Sequence, residues 1–121
     1  MSTLPTEYDE CVTFVKYLDL KKLLFSHIPN ETYSPFMRTK MKNKRLGVRG
    51  GLPDYLICVD DNQSVTKSPI ILFIEMKRVK GGVVSENQKK WLESLNKVGN
   101  VQAFVCKGFY EAKKVIDTYV L

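Results

Sequence analysis

The sequence is poor in the residues that build disulfide frameworks and zinc sites. It has three cysteines, and they lie far apart at Cys11, Cys58 and Cys106. The number is odd and no pair has metal-ligand spacing, which argues against a disulfide-stapled scaffold and against a zinc module. Apolar neighbours, such as Ile57 and Val59 around Cys58, favour buried free thiols in a reducing cytosol.

Long hydrophobic runs are also lacking. The longest run, residues 70–74, is far shorter than the roughly 20 residues that cross a membrane. Residues 1–10 are polar and acidic, so we expect no signal peptide and no membrane partner. No internal repeat or low-complexity tract is visible. The 121 residues therefore predict a single domain, residues 1–121, in the cytoplasm, or in the host cytoplasm if the protein is viral.

One segment of the chain has no acidic residues. The net charge is +6, and the cations between residues 38 and 49 equal that whole excess: Arg38, Lys40, Lys42, Lys44, Arg45 and Arg49. A concentrated basic segment is typical of a protein that binds a phosphate backbone. A solvated basic face is the alternative for one helix alone. Exposed aromatics of the stacking kind are not interleaved with these cations, which argues against an RNA-binding domain.

Turn signals and hydrophobic periodicity predict alternating helices and strands. Helices are expected at about residues 7–20, 35–46, 85–98 and 109–120, and strands at 23–28, 54–59, 69–77 and 101–106. Thr6 is the predicted N-cap of the first helix, a capping box opens the third helix at Ser85, and Gly99 closes it. The order α-β-α-β-β-α-β-α predicts an α/β fold with a mixed central sheet flanked by helices.

A carboxylate and an ammonium group stand side by side at the end of one predicted strand. Strand side chains alternate between faces, so Glu75 and Lys77 share one face and Met76 points to the other. Asp54 heads the preceding strand, and antiparallel pairing would bring its carboxylate beside Glu75. Hard cations such as Mg²⁺ keep several waters, so two or three carboxylates suffice to bind one. A surface salt bridge is the alternative, but the glycines before Asp54 favour a phosphate site.

Two further polar residues fall among apolar positions of predicted helices. Glu7 lies on the apolar stripe of the first helix that includes Phe14 and Leu18, where a carboxylate is costly without a partner. The alternative is a first-turn acid that the helix dipole favours. Gln88 lies at the centre of the apolar stripe of the third helix. It is also the third position of the capping box that Ser85 opens, which is its structural alternative.

Three segments together resemble a known nuclease family. They are Gly-Val-Arg-Gly-Gly-Leu-Pro-Asp at 47–54, Leu-Phe-Ile-Glu-Met-Lys at 72–77 and Gly-Gly-Val-Val-Ser-Glu-Asn-Gln at 81–88. In this order they resemble the virus-type replication-repair nuclease (VRR-Nuc) domain of the PD-(D/E)xK nuclease superfamily. The segment at 27–31 and a glutamate on the first helix are also similar. The resemblance extends from about residue 7 to residue 116.

The resemblance implies a restriction-endonuclease-like core with a divalent-metal site. Asp54 and Glu75 would ligate Mg²⁺ or Mn²⁺, together with the backbone carbonyl of Met76. Lys77 would orient or activate the water and stabilise the transition state. Gln88 and Glu7 would complete the catalytic site.

One position departs from the family pattern, and other residues are implied in binding DNA. Cys11 stands where members often carry a glutamine, four residues after the glutamate of the first helix, and Glu10 is a possible substitute for that glutamate. Asn30 and Arg78 would join the basic segment in binding DNA. His27, the sole histidine, is expected to be a hydrogen-bonded residue at a strand end rather than a catalytic group.

The activity implied is that of a metal-dependent endonuclease acting on branched or structured DNA, such as four-way (Holliday) junctions. The short chain resembles the stand-alone, phage-type members of the family, which implies a homodimer and a role in DNA repair. The alternative is a non-catalytic DNA-binding module that keeps the fold. The presence of Asp54, Glu75 and Lys77 argues against that alternative.

Overall fold

The chain folds around a mixed β-sheet whose strand order follows the sequence. A computed structural model describes residues 4–29 and 37–121. Within those residues the strands are β1 (Leu24–His27), β2 (Tyr55–Val59), β3 (Ile70–Lys77) and β4 (Val101–Lys107), arranged in the order β1-β2-β3-β4. The first three strands pair antiparallel, and β4 runs parallel to β3. The predicted mixed sheet is confirmed.

The helices complete the predicted order of elements. In the described part of the chain they are α1 (Glu7–Leu20), α2 (Met37–Arg45), α3 (Glu86–Leu95) and α4 (Phe109–Tyr119). The prediction for α1 holds because Thr6 and Asp9 form a capping box, each side chain accepting the other residue's N–H at 3.0 Å. The predicted α/β class, with helices flanking the sheet, is therefore confirmed.

The predicted end of the third helix was wrong. We expected Gly99 to close it, but α3 ends at Leu95 and its C-cap is Asn96. The Asn96 amide makes two hydrogen bonds to the backbone of Ala103: its Nδ2 donates to the carbonyl at 3.1 Å, and its Oδ1 accepts the N–H at 2.8 Å. These bonds fix the turn into β4, so the helix stops before the glycine.

The sheet is covered on both faces, and the hydrophobic cores on the two faces differ in size. The larger core lies between the sheet and helices α1 and α4, and its buried side chains include Phe14, Ile57, Leu72, Ile74, Met76 and Ile116. The smaller core lies on the α3 side and contains Phe73, Val101 and Ala103, with Leu92 and Leu95 packed against them. Because successive side chains of β3 point to opposite faces of the sheet, Glu75 and Lys77 lie on the same face as Phe73, whereas Met76 belongs to the larger core, as predicted.

The three cysteines differ in how deeply they are buried. All three cysteines carry free thiols, Cys106 being buried and Cys11 and Cys58 half-buried. Among the residues that the structure describes, no helix is long and apolar enough to span a membrane. The predicted first turn of the second helix, at residues 34–36, and the predicted DNA contact Asn30 lie outside the described residues.

Candidate active site

Two carboxylates meet where β2 begins and β3 ends. Tyr55 pairs with Ile74 in the antiparallel register, so Asp54 precedes β2 opposite Glu75. The Asp54 Oδ2 atom accepts the N–H of Met76 at 2.8 Å, which holds its carboxylate against the end of β3. Glu75 is only 4% exposed, and Asp54 is half-buried. The hairpin therefore brings the two acids together, as the alternation and the order of the strands predicted.

Lys77 lies on the same face of β3 as Glu75. Its Nζ atom is 3.6 Å from Glu75 Oε2, and both side chains are largely buried. The Lys77 carbonyl accepts the N–H of Gly108 at 3.0 Å. A Cβ atom at Gly82 would lie 2.8 Å from the Cβ of Lys77, so the loop after β3 needs glycine to pack on this lysine. The hydrogen bond from Gly108 and the close packing of Gly82 therefore fix the position of Lys77.

Burial and mutual repulsion make it costly for both carboxylates to be ionised at the same time. Burial, together with the charge of Asp54 and a hydrogen bond with it, raises the pKa of Glu75 from its ordinary value of 4.5 to about 8. The nearby Lys77 ammonium lowers the same pKa and offsets only part of the effect. Two carboxylates that share a poorly solvated space cannot both ionise cheaply without a cation. The arrangement therefore favours either a shared proton or a bound metal ion.

The donor set fits a hard divalent cation. Asp54 and Glu75 present carboxylate oxygens, and Met76, whose carbonyl is the third predicted ligand, is bonded through its own N–H to Asp54. Across the described residues, no group of three or more His, Cys, Asp or Glu side chains is close enough to hold a metal ion. The protein would thus supply few ligands, and water would have to complete the coordination of a divalent cation there.

The two glutamates of the first helix take different positions. Glu7 is exposed in the first turn of α1 and lines the same cleft as Asp54. It shares this cleft with Cys11 and Val15 of the predicted stripe, but at the first turn of α1 that face is exposed rather than buried. Glu10 serves the fold: its Oε2 accepts the N–H of Phe109 at 2.6 Å, at the start of α4. Gly108, the N-cap of α4, has no side chain to do this. A catalytic role for Glu7 stays a prediction.

Gln88 occupies the capping box at the start of α3. Its Oε1 accepts the N–H of Ser85 at 2.9 Å, and its own N–H donates to Ser85 Oγ at 3.2 Å. These bonds account for its residue type, and its part in catalysis stays a prediction. The apolar stripe around it is half-buried rather than fully buried. Within it, Trp91 Nε1 donates to the Gly50 carbonyl at 3.2 Å.

The glycine-rich loop before Asp54 is shaped by its contact with α3. Gly51 has a φ of +100°, and a Cβ atom there would lie 2.6 Å from the backbone carbon of Asn87. We expected these glycines to admit a phosphate, but at Gly51 the closely approaching group is helix α3 itself. The glycine therefore anchors the loop, and with it the position of Asp54, against the helix.

The basic segment forms an exposed surface along α2. Its predicted DNA-binding side chains are all exposed: Arg38, Lys40, Lys42, Lys44, Arg45 and Arg49. The Arg49 guanidinium turns back to donate to the carbonyl of Lys44 at 3.4 Å and to that of Val48 at 3.2 Å. Arg49 also lines a cleft of about 320 Å³ with Lys90 of α3, a cation that the sequence analysis missed. Arg78 is exposed directly after β3.

Comparison with known proteins identifies the family. A profile of the VRR-NUC domain matches residues 3–110. The chain belongs to the VRR-NUC domain family. A solved structure titled VRR_NUC domain protein is similar to this VRR-NUC chain with a TM-score of 0.73 and 23% identity, over 98% of this chain and 90% of that chain. No curated protein matches the chain. The resemblance seen in the sequence is confirmed, and the VRR-NUC assignment makes this a nuclease-type, DNA-processing domain.

The stability of the metal-free VRR-NUC domain should depend on the proton of Glu75. The folded-state pKa of about 8 lies above the ordinary value of 4.5, so the folded protein holds a proton that the unfolded chain releases. The free energy of unfolding should therefore fall as the pH rises from about 4.5 to about 8, by a few kcal/mol in all. Glu75→Gln should remove this component of the pH dependence. Urea unfolding without metal across this pH window measures the effect, and parallel pH profiles for the two proteins would contradict it.

Proposed function

We propose that this protein is a divalent-metal-dependent endodeoxyribonuclease that cleaves branched or structured DNA. The observation that carries the proposal is the meeting of Asp54 with Glu75, with the Lys77 ammonium 3.6 Å from Glu75, in a chain of a nuclease family. An ordinary surface ion pair does not explain this arrangement, because Glu75 is buried and faces a second carboxylate. Two carboxylates that can hold a metal, beside a cationic side chain that can contact the phosphate, are the groups that metal-assisted hydrolysis would use.

The residues of the site would divide the work of hydrolysis. Asp54, Glu75 and the Met76 carbonyl would hold Mg²⁺ or Mn²⁺, which polarises the phosphate and lowers the pKa of a bound water. Lys77 would orient the attacking water and donate to the phosphate oxygen on which charge develops. The water oxygen would bond to phosphorus and lose a proton to surrounding water, the bond to the leaving sugar oxygen would break, and that oxygen would take up a proton from surrounding water. Glu7, on the cleft beside Asp54, and Gln88, at the start of α3, would border the bound strand.

The function is tested by a panel of labelled DNAs of different shape. Linear duplex, nicked, flap and four-way DNAs are incubated with the protein without metal, with Mg²⁺ and with Mn²⁺. We expect metal-dependent cuts close to the branch and little cutting of the linear duplex. Binding without cleavage of any DNA in either metal would instead support a non-catalytic DNA-binding module.

The basic surface of α2 would hold the arms of the DNA. Each lysine that contacts a duplex phosphate should contribute about 0.9 to the slope of log affinity against log salt. Replacing Lys42 and Lys44 by alanine should therefore flatten that slope by up to about 1.8. Anisotropy titrations at several salt concentrations measure it. The matched control replaces Lys97 and Lys114, exposed lysines on other parts of the surface, and should leave the slope nearly unchanged. Equal slopes for both double variants would show that α2 is only a solvated face.

We further propose that the active form on a four-way junction is a homodimer. One chain carries one such site, whereas resolving a junction requires two matched cuts, and a two-fold dimer presents two equivalent sites. The sheet edge supports this arrangement, since β1 is an outer strand among the described elements and Leu24 on it is 74% exposed. Light scattering at micromolar concentration tests it, and a monomer that cuts both junction strands in concert would refute it.

A further inference from the structure

The cleft that Glu7 shares with Asp54 lies between α1 and the adjacent ends of β1 and β2. Its volume is about 660 Å³, within the range of roughly 300 to 1,000 Å³ found for small-ligand pockets. The walls are mainly apolar and aromatic, and are lined by Tyr8, Cys11, Val12, Val15, His27 and Tyr55. The carboxylates of Glu7 and Asp54 border the cleft, so it adjoins the proposed metal site directly.

One wall of this cleft is rigid. The Tyr55 ring is buried and packs edge-on against Phe14, with ring centroids 5.5 Å apart. The imidazole of His27 packs on the same ring, with centroids 5.2 Å apart. Core packing and these two ring contacts therefore fix the position of Tyr55. This side of the cleft is therefore pre-formed, but Tyr55 is only 3% exposed and leaves little ring surface for a ligand.

The mouth of the cleft carries an aromatic ring that the fold does not bury. Tyr8, in the first turn of α1, is 76% exposed, although it lines the cleft. An exposed aromatic ring beside a nuclease site is a stacking surface for a base, because every base has a π-face. The exposed ammonium of Lys16 also lines this cleft, so a phosphate could follow the base there.

We propose that this cleft binds an unpaired nucleobase of the nucleotide next to the scissile phosphate, stacked on Tyr8. The inference rests on the proposed function, because the base would reach this cleft as part of the DNA strand whose phosphate lies at Asp54 and Glu75. A base inside a duplex is paired and stacked, so it would have to be unpaired and unstacked before it could enter the cleft. An already unpaired base avoids that cost. The cleft thus selects DNA whose branch leaves a base unpaired beside the cut.

The test compares two DNAs that differ by one base. Both carry the same branch with a single unpaired nucleotide, and in one of them that nucleotide is abasic, so the phosphates are identical. Affinity is measured by anisotropy without divalent metal, which keeps the readout independent of cleavage. The wild-type protein should bind the base-containing DNA about tenfold more tightly, a value within the range for one base–aromatic stack.

Variants of Tyr8 locate the effect. Tyr8→Phe keeps the ring and should keep the tenfold preference, whereas Tyr8→Ala should bind both DNAs equally. The matched control is Tyr110→Ala, which removes an 84% exposed tyrosine on α4 and should leave the preference intact. With 2-aminopurine as the unpaired base, fluorescence should fall on binding to wild type and to Tyr8→Phe, but not to Tyr8→Ala.

The outcomes separate this inference from the proposed nuclease function. Equal affinity of the wild-type protein for both DNAs, with binding retained, would overturn the base site and leave the nuclease proposal standing. That result would instead fit a cleft that takes an apolar peptide or a second copy of the chain. Equal losses in Tyr8→Ala and Tyr110→Ala would also overturn it, since the effect would not belong to the cleft. No binding to either DNA would overturn both proposals.

Discussion

Replacing Asp54 by asparagine or Glu75 by glutamine should lower the rate of DNA cleavage by at least about a thousandfold. Each change removes one of the two carboxylates that would hold the metal, and a metal ion contributes several kcal/mol to the stabilisation of such a transition state. DNA binding should persist or tighten, because each variant removes negative charge beside the phosphate. Single-turnover cleavage and anisotropy measure the two effects separately.

Amide replacements keep the shape of the site, so a loss of activity can be read as a loss of charge. Asparagine at 54 still offers an oxygen to the N–H of Met76, which Asp54 accepts at 2.8 Å. Asp61→Asn is the matched control, since Asp61 is exposed in the turn between β2 and β3 and the variant should cleave normally. Calorimetry with Mn²⁺ should show weaker metal binding in both site variants. Full cleavage by both variants would refute the assigned metal site.

Lys77→Ala should slow cleavage by roughly a hundredfold or more while metal binding changes little. The expected size is that of losing one positioned donor to the developing charge. Lys77 lies 3.6 Å from Glu75, so its ammonium is held beside the proposed metal ligands without being one of them. Removing it raises the pKa of Glu75, which disfavours metal binding, but also removes a positive charge beside the metal, which favours it, so the net change in metal affinity should be small.

Lys107→Ala is the matched control for this variant. Lys107 pairs with Lys77 across the parallel strands and is exposed, so its removal changes the local charge equally without touching the site. We expect cleavage by Lys107→Ala to remain within a few-fold of wild type. Loss of metal binding in Lys77→Ala at every pH would show that this lysine organises the ligands instead of acting on the phosphate.

Local sequence patterns were sufficient to predict the elements and the meeting of the acids. Strand alternation and the short β2–β3 connection determine that Asp54, Glu75 and Lys77 gather at one sheet end, and both features are local in sequence. Capping boxes likewise fix the starts of α1 and α3 within four residues. The position of the candidate site is therefore predictable from the amino-acid sequence alone.

Local sequence patterns did not predict the contacts between segments that are distant in the sequence. Glu10 bonds to the N–H of Phe109, 99 residues away, and nothing near Glu10 marks that partner. Helix α3 ends early because of the bonds between Asn96 and Ala103, and Gly51 is needed because α3 passes close by. Lys90 joins the basic surface by the same packing of α3 on the loop. Each of these depends on tertiary docking, which periodicity does not encode.

The connection between β2 and β3 also has a kinetic consequence. Asp54 and Glu75 belong to adjacent strands of one antiparallel hairpin, so they can meet through a short loop closure, without waiting for the N-terminal and C-terminal helices. Their mutual repulsion is then felt early in folding. Above about pH 4.5, where both acids of the unfolded chain are ionised, closing this hairpin brings two negative charges together while Glu75 is still exposed to water, and a divalent cation in the refolding buffer should speed that step.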